Sequence, residues 1–357
     1  MAPADSGDRR EPPAAAAVEP VGLARKIAFL RSPSTFPDRP AEVETVETHF
    51  AYVFMSQRLV YKLKKPHRFR QVDFTSVAAR RANCELEAAL NRRLAEPVYI
   101  GVVPLTFDGS ELAIDGPGDA VDWLVHMHRL PQHRTLERLA AEGRVTDAEL
   151  RSLIDKLNRF YRAAVLAPWG PEGYRRQVER RTRDTLRQLR SPELGLDASL
   201  LDAVDDAQMR FLDAGGALLE ARARERRIVD AHGDLRPEHV FLDGEPQIID
   251  CLEFSQELRW LDSAEEISFL ALECERLAAP AVAQRLLDLY VDAAADPIAP
   301  GLLAFYRSAR AAVRALLSAW HTVDGLPPAQ AGHWIGRATW YLEQARSGLA
   351  RAGAGPD

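Results

Sequence analysis

The stretch His232-Gly233-Asp234-Leu235-Arg236-Pro237-Glu238-His239 decides the reading of this chain. A short apolar run (Ile228-Val229) precedes it, as a buried strand would. After it come Val240-Phe241-Leu242, the turn Asp243-Gly244, and Ile248-Ile249-Asp250. An Asp-Gly pair between two apolar runs is a hairpin signal. Asp250 follows Asp234 by 250 − 234 = 16 residues, so the hairpin brings two carboxylates to the mouth of one cleft. Any single loop aspartate is most simply a turn cap, but the whole string argues against two such caps.

Working outward, residues 227–250 form a β-rich insert in an otherwise helical second half. Thr146 and Glu149 make a capping box for a helix reaching about Val165, and helices are expected at 174–190, 199–223 and in four segments over 260–350. The first half alternates instead. Thr48–Phe54 and Arg58–Lys64 read as two strands of a hairpin, with further strands over Tyr99–Leu105, Glu111–Ile114 and Asp122–Leu130. One helix interrupts them over Ser76–Ala95, with Val77, Cys84, Leu86, Leu90 and Leu94 at helical spacing and N-cap candidates in Asp73-Phe74-Thr75-Ser76. The expected architecture is α+β: a small β-rich lobe with one helix over 22–125, then a large helical lobe over 126–350. Tails at 1–21 and 351–357 flank them, the first rich in Ala, Pro and charge and read as disordered.

The 357 residues carry 46 Lys and Arg against 52 Asp and Glu, a formal net charge of −6. That balance argues against non-specific nucleic-acid binding. The three cysteines, Cys84, Cys251 and Cys274, form no C-x-x-C pair, which suggests neither a zinc site nor a disulfide framework but a reducing cytoplasm. No apolar run of membrane-spanning length occurs, and residues 1–20 contain no signal-peptide core. Neither G-x-G-x-x-G nor G-x-x-x-x-G-K-[ST] is present.

Two carboxylates in this arrangement suit phosphoryl transfer. That reaction asks a protein for a carboxylate near the attacking hydroxyl and for oxygen ligands to the metal on the nucleotide phosphates. The string HGDLRPEH followed by I-D resembles the catalytic loop of the aminoglycoside phosphotransferases and choline kinases, a variant of the protein-kinase loop. The segments THFAYVF (48–54), YKLKKP (61–66), VDFTSVAARRANCELEAALNRRL (72–94), YIGVVPL (99–105), HGDLRPEHVFL (232–242) and IDCLEF (249–254) narrow the likeness. They resemble a bacterial group often fused to a C-terminal P-loop ATPase resembling gluconate kinase, whose P-loop motif this chain lacks. The likeness covers roughly residues 23–320.

The resemblance implies a protein-kinase-like bilobal fold and a small-molecule kinase using ATP and Mg2+. Asp234 would be the catalytic base, Asp250 the main metal ligand, and His232 a structural residue of the loop. Where the family has an asparagine as second metal ligand, this chain has His239. Magnesium prefers oxygen, so His239 would weaken that site, shift preference towards Mn2+, or meet phosphate instead. Glu253 is a substitute oxygen donor or a solvated charge. Lys62, mid-strand, would hold the nucleotide phosphates, fixed by Glu87 on the helix, with Lys64 as rival lysine and Glu85 as rival acid. Thr48 and His49 stand in the place of the phosphate loop, as donors or as an ordinary turn.

Asp262 reads as a structural cap or a partner of the loop. Tyr306, Arg310 and Arg314 share a helix face. The two arginines suit an anionic acceptor, or else pair with the acids of 262–266. The expected partner is a small molecule carrying a hydroxyl. Alternative functions are a nucleotide-binding pseudokinase, motivated by His239, and an atypical protein kinase, disfavoured by the short segment after Asp250.

Overall fold

The computed structural model describes residues 21–69, 72–323 and 327–351. Apart from residues 21 and 351, the expected tails lie outside them. The chain divides into two compact units. The first comprises residues up to Cys84 together with Gly101–Met127, and the second Glu85–Ile100 together with His128 onward.

In the first unit, helix α1 (Leu23–Leu30) precedes strands β1 (Glu44–Glu47), β2 (Ala51–Met55), β3 (Leu59–Lys64), β4 (Arg68–Phe69) and β5 (Val72–Asp73). Helix α2 (Val77–Ala95) begins in this unit and ends in the second. Strands β6 (Tyr99–Phe107), β7 (Leu112–Ile114) and β8 (Asp119–His128) follow. Six strands form one sheet in the order β1-β2-β3-β8-β6-β7. The β2–β3 hairpin has the expected antiparallel register, with Phe54 opposite Tyr61. Its inner face buries Phe54, Tyr61 and Leu63 with Leu105, Val121 and Leu124. Thr48 is not in a strand: it closes the β1–β2 turn, its hydroxyl accepting from Ala51 N at 3.0 Å. Strand β8 starts earlier and ends earlier than the alternation suggested, because its limits are set by pairing and not by apolar content.

Three buried charges tie this unit together. Asp122 on β8 receives Arg80 in a two-toothed contact (2.8 and 2.9 Å) and Lys26 of α1 at 2.8 Å. All three side chains are at most 1% exposed.

The second unit contains helices α3 (Leu136–Ala141), α4 (Asp147–Ala163), α5 (Pro171–Leu189), α6 (Ala198–Ala214) and α7 (Gly216–Arg224). Strands β9 (Ile228–Asp230), β10 (Val240–Phe241) and β11 (Gln247–Ile248) come next. Helix α8 (Gln256–Arg259), strand β12 (Trp260–Asp262) and helices α9 (Ser263–Arg276), α10 (Pro280–Ala294), α11 (Pro300–Trp320) and α12 (Pro328–Arg351) complete it. The Thr146–Glu149 capping box is formed as expected. Leu150, Leu153, Ile154 and Leu157 face inward from α4, each burial contributing about 1.5–3 kcal/mol. The single helix expected over 199–223 is two. Gly215 ends α6, and a Cβ there would lie 2.7 Å from the Phe211 ring. Leu86, counted among the apolar stripe of α2, is 43% exposed. No helix among the described residues is long and apolar enough to cross a membrane.

Candidate active site

The site is built on two short sheets of the second unit. Strand β9, fully buried, pairs antiparallel with β12, and the chain then enters the 232–239 loop. The β10–β11 hairpin returns it to Asp250. Three hydrogen bonds stitch the outgoing and returning segments together. Ile249 N donates to His239 O (3.0 Å), Leu252 N to His232 O (3.0 Å), and His232 Nε2 to Ile249 O (2.9 Å). A 3-10 turn over Pro237–His239 aims the His239 ring back at the loop. Its Nδ1 lies 2.9 Å from the Asp234 carbonyl, and its Nε2 lies 3.6 Å from Asp250 Oδ2. His239 thus touches the Asp234 backbone and faces the Asp250 carboxylate.

Two backbone conformations make this possible. Gly233 has φ +90°, and a Cβ there would come within 3.0 Å of Leu252 Cβ and 3.1 Å of Arg259 Cγ, so only glycine fits. Asp250 has φ +63°, a left-handed conformation costing about 1 kcal/mol for a residue with a Cβ. Such strain is concentrated where a side chain must be aimed.

The loop backbone is clasped from beneath by Glu266 of α9, which is 0% exposed. Its carboxylate accepts from Gly233 N (2.7 Å), His232 N (3.2 Å) and the Tyr161 hydroxyl (2.8 Å). Burial pushes its carboxyl up, against those donors and the Arg310 charge. On another side Arg93 of α2 donates to Asp230 O and Ala231 O, each at 3.0 Å, and Asn91 Oδ1 accepts from Cys251 N at 2.9 Å. Burial raises the Cys251 thiol to about 12, so it is an inert filler of this joint. Arg259 holds Asp230 through Oδ1 at 2.7 Å and Leu252 O at 2.9 Å. Glu266, Arg93, Asn91 and Arg259 were not singled out from sequence. Each acts across at least 29 residues, except for Arg259 on the nearby Leu252 carbonyl, and none belongs to a motif.

His232 is fully buried, and burial lowers its imidazole to about 4. It stays neutral and holds the loop with Nε2–H, which agrees with a structural role. Asp234 keeps 30% of its side-chain surface open. Burial would raise its carboxyl, but Arg236, His239 and Arg314 outweigh that and hold it below the usual carboxylate range, with Asp250 opposing. Asp234 is therefore an anion at neutral pH. Arg236 Nη1 lies 3.7 Å from its Oδ2.

The residues present fit a divalent cation. His239 Nδ1 lies against the Asp234 carbonyl, and its Nε2 and Asp250 Oδ2 stand 3.6 Å apart, so an imidazole nitrogen and a carboxylate oxygen border one space. Among the described residues no three His, Cys, Asp or Glu side chains group into a protein cage.

The remaining expected residues are distributed as follows. Glu253, three residues after Asp250, is partly buried. Asp262 is a cap and a knot: it accepts from Ala264 N (2.9 Å), from Arg222 Nε and Nη2 (2.6 and 2.8 Å) and from the Tyr306 hydroxyl (2.8 Å). Arg310 Nε lies 2.8 Å from Glu265 Oε1 and Arg314 Nε 3.4 Å from Glu273 Oε1, both contacts of charge without hydrogen-bond alignment. The arginines thus meet acids of α9. In the first unit, Lys62 is partly buried on β3, and Lys64, two residues on, is 1% exposed. Thr48 and His49 are exposed at the β1–β2 turn, the His49 ring 4.6 Å from that of Phe50. Glu87, 1% exposed, sits in the part of α2 that belongs to the second unit.

No protein-family model matches the chain. Uncharacterised proteins of Mycobacterium tuberculosis (strain H37Rv) and Mycobacterium bovis are each 31% identical to it over 323 residues, covering 88% of this chain and 62% of theirs. The chain thus spans about three-fifths of the length of the curated relatives it matches. Among solved structures, choline kinase from Cryptosporidium parvum Iowa II superposes with a TM-score of 0.53 at 12% identity, covering 93% of this chain and 98% of that one. A choline/ethanolamine kinase family protein from Mesorhizobium loti gives 0.51 at 14%, covering 91% and 99%. The likeness is one of fold: the chain has the α+β, protein-kinase-like fold of the choline kinases, as the loop motif implied.

Proposed function

We propose that the chain is a phosphotransferase that moves the γ-phosphoryl of ATP to a hydroxyl of a small molecule. The observation that carries this reading is the stitched loop, in which ionised Asp234 stands beside Asp250 with His239 touching both segments. Asp234 orients the acceptor hydroxyl and takes its proton as the oxygen bonds to phosphorus. The bond from the γ-phosphorus to the β–γ bridging oxygen breaks, and ADP departs with that electron pair. Arg236, beside Asp234, supplies positive charge for the equatorial oxygens. A magnesium or manganese ion, when bound, neutralises phosphate charge; Asp250 and His239 would hold it, with Glu253 as reserve. By resemblance, Lys62 and Glu87 are assigned to nucleotide binding, with Thr48 and His49 as turn donors. Arg314, whose charge reaches Asp234, remains a candidate for an anionic acceptor, and Arg310 shares its helix face.

The test is ATP turnover with Mg2+ or Mn2+ over pooled metabolites, wild type against Asp234→Asn. Transfer to one compound, lost in the variant by about 10²–10⁴-fold, supports the reading. Nucleotide binding without turnover in any pool favours a binding module, the second reading, which rests on histidine at position 239. His239→Asn separates the two: a large gain in magnesium-dependent turnover marks a degraded site, and a loss marks His239 as a working ligand.

A further inference from the structure

On the second unit, a cavity of about 210 Å³ opens among α4, α10 and the turn that follows α7. Its wall includes Asn158, Tyr161, Arg162, Glu225, Arg226 and Arg227. Three of these are arginines and one is an acid. Glu225 is 55% exposed and inclines to Arg222 at 3.7 Å. Arg227 has no good partner: its Nε is buried without a hydrogen bond, and its nearest carboxylate, Asp296 at 3.8 Å, is already bound by Arg222. Arg162 is tethered to Ala293 O at 3.0 Å and contributes charge at the rim.

Two features point to an occupant. The first is Asn158, a lining residue only 6% exposed, whose Nδ2 is buried without a hydrogen-bond partner among the described residues. A buried amide left unpaired costs about 1–3 kcal/mol, which a ligand or ordered water recovers. The second is the backbone of the turn. Arg226 N donates to Ala223 O (3.1 Å) and Arg227 N to Arg222 O (3.0 Å), a helix-ending motif whose left-handed position favours glycine. Arg226 occupies that position at φ +60°. Arg226, exposed, keeps that position at a conformational cost of about 1 kcal/mol and forms part of the cavity wall.

We propose that this cavity binds a small oxyanion of the phosphate class, inorganic phosphate or the phosphoryl group of a small metabolite. Arg226 and Arg227 supply the charge, and the Asn158 amide supplies a buried hydrogen bond. Guanidinium is the group best matched to phosphate oxygens. The volume falls below the roughly 300–1,000 Å³ of pockets for drug-sized ligands, so a nucleotide does not fit. The proposal stands on these residues alone and not on the phosphotransferase reading.

The experiment is calorimetric titration of the whole protein with inorganic phosphate, and separately with glycerol phosphate, at ionic strength fixed with chloride. One saturable equivalent is expected, weakened at least about tenfold by Arg226→Gly and by Arg227→Gln, and retained in Arg236→Ala. Arg226→Gly relieves the left-handed strain, so its unliganded melting temperature should hold or rise while binding falls, which separates lost binding from lost folding. Tighter binding of the ester than of the ion marks a metabolite site, and the reverse marks a site for the ion itself. Binding lost in Arg236→Ala and kept in Arg226→Gly would put the phosphate at the Asp234 loop and overturn the proposal. Absence of saturable binding up to about 10 mM would do the same.

Discussion

Replacing Glu266 by glutamine tests whether the loop carrying Asp234 is held by a buried carboxylate. Glu266 Oε1 accepts from Gly233 N, and Oε2 accepts from His232 N and Tyr161 OH. Glutamine keeps the shape but offers one oxygen. With that oxygen in the Oε2 place, His232 and Tyr161 keep an acceptor, while the new NH2 confronts the Gly233 N–H. One hydrogen bond to a charged group is lost, worth about 1.5–3 kcal/mol, and the other two weaken as the charge goes. Relief from burying that charge offsets part of this. Glu266→Gln should therefore lower unfolding free energy by about 2–3 kcal/mol in urea, without a change of slope. The Gly233 amide should lose exchange protection beyond the global change. Tyr161→Phe, which removes a single donor, should cost about 1 kcal/mol. A Glu266→Gln protein within about 0.5 kcal/mol of wild type, with unchanged Gly233 exchange, would refute the clasp.

Gly233→Ala meets both a positive φ and a close Leu252 side chain, so it should cost about 3 kcal/mol and remove turnover; an urea midpoint like wild type would show that the loop can reshape. Asp250→Gly relieves a left-handed residue whose side chain is 48% exposed, so stability should hold or rise by up to about 1 kcal/mol while metal-dependent turnover disappears. A drop in stability larger than that would make the carboxylate a structural element. The buried His232 resists protonation down to about pH 4, whereas an unfolded histidine takes its proton near 6.5. Its folded value is depressed, so the unfolded chain binds the extra proton on acidification. Stability should fall between pH 6.5 and 4 by up to about 3 kcal/mol, and urea titrations of His232→Gln should lack that slope.

What the sequence disclosed and what it hid follow from distance along the chain. The β2–β3 hairpin, the Thr146–Glu149 box and the Asp243-Gly244 turn depend on residues a few positions apart, and all were legible. The hairpin that returns the chain from the Asp234 loop to Asp250 was legible because it is short. The Gly215-Gly216 pair was a visible stop signal, passed over because apolar spacing continues on both sides of it. Strand β12 was read into a helical region, since three residues hold no period and only pairing with β9 defines them. Glu266 and Arg93 escaped for a different reason. A carboxylate on a helix and a guanidinium near a helix end are ordinary until the fold puts a loop backbone against them. Of the two readings of that helix face, pairing with the acids of 262–266 holds for Arg310, which meets Glu265, while Arg314 meets Glu273 further along the same helix.

The knot of Lys26, Arg80 and Asp122 has a consequence for descent. Removing Asp122 takes the shared carboxylate from two buried cations, at about 3–5 kcal/mol, a large share of the roughly 5–15 kcal/mol that keeps a domain folded. A single step of drift at Asp122 therefore crosses a nearly unfolded intermediate, whereas loss of Lys26 or Arg80 leaves an ion pair. Asp122 should persist with its cations or be replaced together with them by apolar side chains. For proteins that share this fold at 12–14% identity, such a triplet would be a firmer peg for aligning the β-rich unit than any stretch of matched letters.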